Sequence, residues 1–204
     1  LTTEHFKPIQ KTAMKPMGEI VKELDNPKLI FVMFLTTMIV TASTMSIDPI
    51  ISLYVRSLMH NHGNVAFVAG VVAATPGLGT LIAASKIGHT MDRIGPERVL
   101  RVGLTVAFVL FIPMTFTHSP WSLAFWRFLL GLANAALMPA TQTVLTLDVP
   151  TEAFGRIFSY NQSFQAGGAV LGSLLGSAIS GLSSYPMVFA ATGLTLLVNL
   201  ALVL

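Results

Sequence analysis

The sequence predicts an all-α membrane protein, a bundle of six membrane-crossing helices. Three observations carry that prediction. Of 204 residues, 53% are hydrophobic and only 10% charged, against about 25% charged in an ordinary soluble domain. The mean hydropathy is +0.72. The few charges are clustered, and the apolar stretches between clusters are long enough to cross a bilayer, which takes roughly 20 residues.

A soluble domain this apolar would lack the polar groups to cover its own surface, so lipid is the expected solvent. Spans are expected at 29–55, 65–87, 99–117, 121–146, 156–181 and 185–204. Any one such stretch also suits a buried soluble helix. Six in succession, joined by short links, fit a membrane protein far better. Basic residues set the orientation. Lys7, Lys11, Lys15, Lys22 and Lys28 precede the first span, Lys86, Arg93, Arg98 and Arg101 cluster between spans two and three, and Arg156 follows span four. With both ends of the segment on the cytoplasmic side, these ten face inward, and the outer links near 56–64, 118–120 and 182–185 hold only Arg56. Residues 1–28 form a cytoplasmic connector. Within it Met17, Ile20, Val21 and Leu24 share one helical face, which suits either a short amphipathic helix on the membrane surface or a linker. The chain opens at Leu1 and ends in an apolar run at Leu204, as expected of a piece of a longer protein.

Several chemistries are excluded. The chain has no cysteine, hence no disulfide or thiolate metal site. His60 and His62 flank Asn61 without a third ligand nearby, so no metal is expected. No glycine-rich loop runs into a Lys-Ser or Lys-Thr pair, so ATP does not power this chain and no cofactor is expected. No nucleophile–base constellation stands out, which argues against an enzyme. The net charge of +3 is too scattered for nucleic acid.

The motifs inside the apolar runs carry the function. Between spans two and three, Gly88, Asp92, Arg93, Gly95, Glu97 and Arg98 lie within eleven residues. Glycines permit a tight turn there, and the four charges are expected to form a network at the helix ends. In span four, Arg127 precedes Gly131, Asn134 and Pro139. An arginine at mid-membrane costs about 2.5–3.5 kcal/mol on insertion scales and needs a partner or a wet cavity, unless it snorkels to headgroups. In span five, Gly168, Gly172 and Gly176 recur every fourth residue, the spacing that lets helices pack closely. Asp48, between Ile47 and Pro49, is the one acid inside a span. Pro49 removes a backbone donor and can open the helix beside it. Two readings of Asp48 stay open: a carboxylate bonded to Arg56 or to headgroup water, and a group that couples protons or binds cationic substrates.

These elements, in this order, resemble a six-helix half of the major facilitator superfamily. The Gly88–Arg98 segment resembles the family's loop motif, departing from it at Pro96 and Glu97. Arg127–Pro139 resembles the pattern on the fourth helix of each half. The glycine run of span five resembles the motif of drug–proton antiporters, with Ser173 where that motif has proline. The run from Gly155 to Phe164 strengthens the likeness to the C-terminal half of a bacterial multidrug exporter.

The resemblance implies one half of a twelve-helix fold, working with a second six-helix half in the bacterial inner membrane. It also implies proton-coupled export of small amphiphilic compounds. Gly88, Asp92, Arg93, Gly95 and Arg98 would then gate the conformational change. Asp48 departs from the resemblance, which supplies no acid at that place; on its own chemistry it stands with Arg56 and Arg127 as a candidate for proton coupling or ion pairing. The polar residues of spans one, two, four and five, namely Thr37, Thr41, Asn134, Tyr160, Asn161 and Gln165, would line the substrate cavity. Met33, Met38, Met45, Met138, Phe158 and Phe164 would supply adaptable walls. Spans three and six, nearly all apolar, would face outward. Two other readings remain open: an exporter of sugars or metabolites in the same superfamily, and a half-protein that packs or dimerises in the membrane without transporting.

Overall fold

The computed structural model describes residues 26–60, 62–150 and 153–204. The amphipathic stretch at 17–24, and nearly all of the connector, lie outside the described residues. Among the described residues seven α-helices follow one another: α1 Pro27–Met45, α2 Ile51–Leu58, α3 Val65–Ile94, α4 Pro96–Thr115, α5 Pro120–Asp148, α6 Phe154–Leu182 and α7 Tyr185–Val203. Among the described residues there is no strand. Proline starts α1, α4 and α5, and stands second in α7. Its fixed φ suits a first turn, where its missing N–H would have no partner anyway.

The first span, expected unbroken over 29–55, divides into α1, a single 3-10 turn at Asp48–Ile50, and α2. Pro49 is the cause. It cannot donate to the carbonyl of Met45 four residues back. That freed carbonyl instead accepts from the Ser173 hydroxyl of α6 at 3.4 Å.

The link expected between spans two and three is almost wholly helical. α3 runs on to Ile94 and α4 starts at Pro96, which leaves Gly95 alone as the turn. Gly95 adopts φ +86°, a conformation that favours glycine. Gly88 lies inside α3 and makes no turn, contrary to its expected role.

Two helix pairs hold the bundle together at backbone distance. Along α1 and α6, Phe164 stacks on Phe34 at 5.2 Å. A Cβ built at Gly168 would lie 3.0 Å from Met38 Cα, at Gly172 2.6 Å from Ala42 Cα, and at Gly176 2.8 Å from Ser46 Cα. Both number series rise together, so the two helices run parallel along their length. Between α3 and α5, a Cβ at Gly131 would lie 2.7 Å from Pro76 Cα, and one at Gly79 3.0 Å from Leu132 N. Thr80 Oγ1 donates to the Gly131 carbonyl there at 3.0 Å. α4 packs against α5 and α7, and α1 touches α5 and α7.

Among the described residues five helical segments are long and apolar enough to cross a membrane, with α1 and α2 counted together as Pro27–Leu58. The exception is α6, with 29 residues. Tyr160, Asn161, Gln162, Ser163 and Gln165 make its first half polar, and glycine and serine thin out its second. Its contact along the whole of α1 puts it in the same layer. With α1 and α2 taken as one span, consecutive spans alternate in direction, so Asn26, the Gly95 turn, the link before α6 and Leu204 share one end of the bundle.

The close pairs make a direct prediction for stability. Gly172→Ala forces α1 and α6 apart and should destabilise by about 1–3 kcal/mol, the usual penalty of overpacking. Gly88→Ala meets nothing within 4 Å and should be neutral or gain roughly 1 kcal/mol of helix propensity. Thermal unfolding in detergent compares the two; equal effects would contradict the packing described.

Candidate functional site

The helix break in the first span aims Asp48 across the bundle. Arg127 Nη2 of α5 donates to Asp48 Oδ1 at 3.3 Å. The arginine side chain is 5% exposed and the carboxylate 47%. Arg127 therefore does not snorkel to headgroups; it is buried in the bundle and paired. Asp48, left between several roles by the sequence, has this arginine as an ion-pair partner. Arg56 is exposed at the last turn of α2, where a cation suits the helix C-terminus.

The pair borders a cavity of about 210 Å³ at the centre of the bundle. Ser43 and Thr44 of α1 and Asn134 of α5 line it together with the pair, and Pro76, Phe111 and Leu196 close it from α3, α4 and α7. Arg127 Nε has no partner among the described residues. The pair, with Ser43, Thr44 and Asn134 beside it, makes a polar patch inside an otherwise apolar bundle.

The expected cavity residues separate into two groups. Asn134 lines the central cavity. Tyr160 is 44% exposed on α6, and Gln165 is half-buried on the same helix. Thr37, Thr41 and Asn161, by contrast, are buried between helices at 1%, 7% and 1% exposure, and do not form an open wall. Of the adaptable wall residues, Met33 is buried, Phe164 packs on Phe31 and Phe34, and Phe158 stacks on Phe154.

At the Gly95 end, Asp92, Arg93 and Arg98 are exposed. The ion pair found there joins Glu97 to Arg101 at 4.0 Å within α4, in place of the expected four-charge network. The one-residue turn explains this. With no loop between the helices, the charges stay on helix surfaces instead of folding back on one another. A groove lined by Gly95, Glu97, Arg98, Arg101, Leu147 and Asp148 separates this corner from the end of α5.

α7 departs from the expected plain outer helix. Asn199 is fully buried and accepts from Thr36 Oγ1 of α1 at 3.0 Å, and Thr192 shares a 2.9 Å hydrogen bond with Ser46 beside the break. A lone asparagine in an apolar run is the available signal for the first contact. Tyr54 of α2 donates to the Thr117 carbonyl at 2.9 Å, tying the end of the broken span to the link before α5.

A helical membrane bundle with glycine-sealed helix pairs, a broken first span and a charged pair at its centre defines a multi-pass membrane protein with a polar interior. The chain belongs to the Major Facilitator Superfamily, whose family model matches residues 30–204. It is 46% identical over 196 residues to the multidrug resistance protein MdtG of Salmonella arizonae, covering 96% of this chain and 48% of that protein. It is 46% identical over 198 residues to MdtG of Citrobacter koseri, covering 97% and 49%. The chain thus spans about half the length of the curated relatives it matches.

The pair yields a measurable coupling. Asp48→Asn and Arg127→Met should each lower thermal stability by about 1–3 kcal/mol, and the double variant should cost less than their sum. Additive losses in the double-mutant cycle would show that the two charges do not interact.

Proposed function

We propose that this chain is one half of a proton-coupled exporter of amphiphilic, often cationic, compounds in the bacterial inner membrane, acting with a second six-helix half. The observation that carries this reading is the Asp48–Arg127 pair beside the central cavity. The relatives named for multidrug resistance, of which the chain matches about half, support it.

The chemistry is a competition at one carboxylate. Ionised Asp48 holds Arg127. A proton on Asp48, or a cationic group against it, weakens that bond and frees the guanidinium to reorient. Asn134 is polar enough to orient a ligand in the cavity, and Tyr160 and Gln165 offer further polar groups on α6. Asp92, Arg93, Gly95 and Arg98 act at the end of the bundle as a gate. A charge pair made there in one conformation and lost in the other biases the exchange between them. Gly88 contributes only as a small residue on the surface of α3.

Asp48→Asn should abolish drug-driven proton movement in vesicles holding the complete transporter. Asp92→Asn should slow transport while leaving drug affinity nearly unchanged. Proton movement that survives in the Asp48 variant would remove that residue from the mechanism, and a large loss of affinity in the Asp92 variant would rule out a gating role.

The distribution of Lys and Arg supports a cytoplasmic placement of the Gly95 end. In this cysteine-free chain, His62→Cys should react with an impermeant thiol reagent added outside intact cells, and His89→Cys should not. The reverse pattern would invert the orientation.

A further inference from the structure

Threonines inside helices commonly return their hydroxyl to a carbonyl three or four residues back. Thr44, Thr75, Thr141 and Thr192 all do so, at 2.7–3.3 Å. Thr36 and Thr80 reach a neighbouring helix instead. Thr37 and Thr41 do neither. Both are buried, and neither Oγ1 has a partner among the described residues.

Their position is specific. Thr37, Thr41, Thr44 and Asp48 fall at i, i+4, i+7 and i+11, one face of the chain. α5 packs against α1 and runs the opposite way, and its Arg127, Asn134 and Thr141 recur every seventh residue on one face. Asp48 meets Arg127, and Thr44 and Asn134 line the cavity beside that pair. Beyond the cavity, Thr41 and Thr37 continue the stripe toward the end that carries the Gly95 turn, about 16 Å from Asp48 along the helix axis.

We propose that this α1–α5 seam, through Thr41 and Thr37, conducts protons between Asp48 and the Gly95 end of the bundle. The inference rests on the reading of Asp48 as the coupling carboxylate. Each threonine hydroxyl accepts one hydrogen bond and donates another, and an amide orients water between them. The O–H bond of protonated Asp48 breaks as a bridging water gains that proton. The water passes one of its own protons to the next oxygen, positioned by Asn134 and Thr41, and so on past Thr37. Every hop forms one O–H bond and breaks one, so a single proton moves along the seam and Asp48 is left as a carboxylate against Arg127. Arg127 is the charged group facing Asp48 from α5. α3, α4 and α7 present Ala73, Pro76, Phe111 and Leu196 there, and α6 places Gly176 against Ser46, none of which titrates. Arg56 lies about two turns further along the chain.

Valine matches threonine in shape and removes only the hydroxyl, so Thr37→Val/Thr41→Val isolates the path. In vesicles holding the complete transporter, dye-driven proton flux should fall by at least about tenfold, with dye affinity unchanged, as for loss of a proton-transfer group. Thr37→Ser/Thr41→Ser should retain the flux. Wild-type flux in the valine variant, with Asp48→Asn still abolishing it, overturns the path and leaves the coupling reading standing. A valine variant that loses dye affinity along with flux, and a serine variant that is equally impaired, assign the threonines to packing and overturn the path. A wild-type protein that moves no protons on addition of dye removes both the reading of Asp48 and the path that depends on it.

Discussion

Glycine-enforced contact between parallel helices sets the dimensions of the whole bundle. α1 and α6 approach so closely that three positions of α6, four residues apart, have no room for a Cβ, and α3 and α5 interlock the same way around Gly131 and Pro76. In lipid, apolar side chains gain little by leaving one hydrocarbon environment for another, so helices associate through dispersion contact and hydrogen bonds between close backbones. The carbonyl of Met45, freed by Pro49, lies within reach of Ser173 because Gly172 and Gly176 bring α6 that near.

The two close pairs also decide where polarity goes. Their seams are filled by backbone, and the polar side chains gather where α1 meets α5 and α7. Against α7 two hydrogen bonds join them, Thr36 to Asn199 and Ser46 with Thr192, while Asn199 Nδ2 has no partner among the described residues. Against α5 stands the charged pair of Asp48 and Arg127, and along α1 the buried hydroxyls of Thr41 and Thr37 have no partner among the described residues. A satisfied buried network stiffens an interface, whereas an incompletely satisfied one retains alternatives of similar energy. Each of these seams therefore keeps a buried polar group without a partner among the described residues, Asn199 Nδ2 against α7 and Arg127 Nε on α5.

Much of this was legible in the sequence because lipid imposes a simple code. Apolar length and clustered charge give the helices to within a few residues at most ends, and the period of four in span five gives its packing face. Asp48 and Arg127 stood out separately as charges inside apolar runs. Their meeting did not, because 79 residues separate them and nothing in the local pattern of either names a partner. Thr37, Thr41 and Asn161 looked like cavity residues because polarity alone does not reveal which side of a helix is covered. Gly88 looked like a turn because glycine serves turns and crowded helices alike; only the φ of Gly95 separates the two uses. Asn199 carries little signal in the sequence because one amide barely alters an apolar average, although its burial against Thr36 makes it structurally significant.

The single-residue turn at Gly95 leaves no slack between the longest helix of the bundle and its successor. Adjacent Cα atoms are fixed about 3.8 Å apart, so α3 and α4 cannot slide past each other along their axes at that end. What remains is rotation about the joint, like the legs of a pair of compasses. α3 is interlocked with α5, and α4 lies against α5 and α7. A tilt of α3 must therefore open or close an angle at Gly95, and the far tips of the two helices sweep much further than the corner itself. Leverage of this kind turns a small displacement at the hinge into a large one at the opposite face of the bilayer.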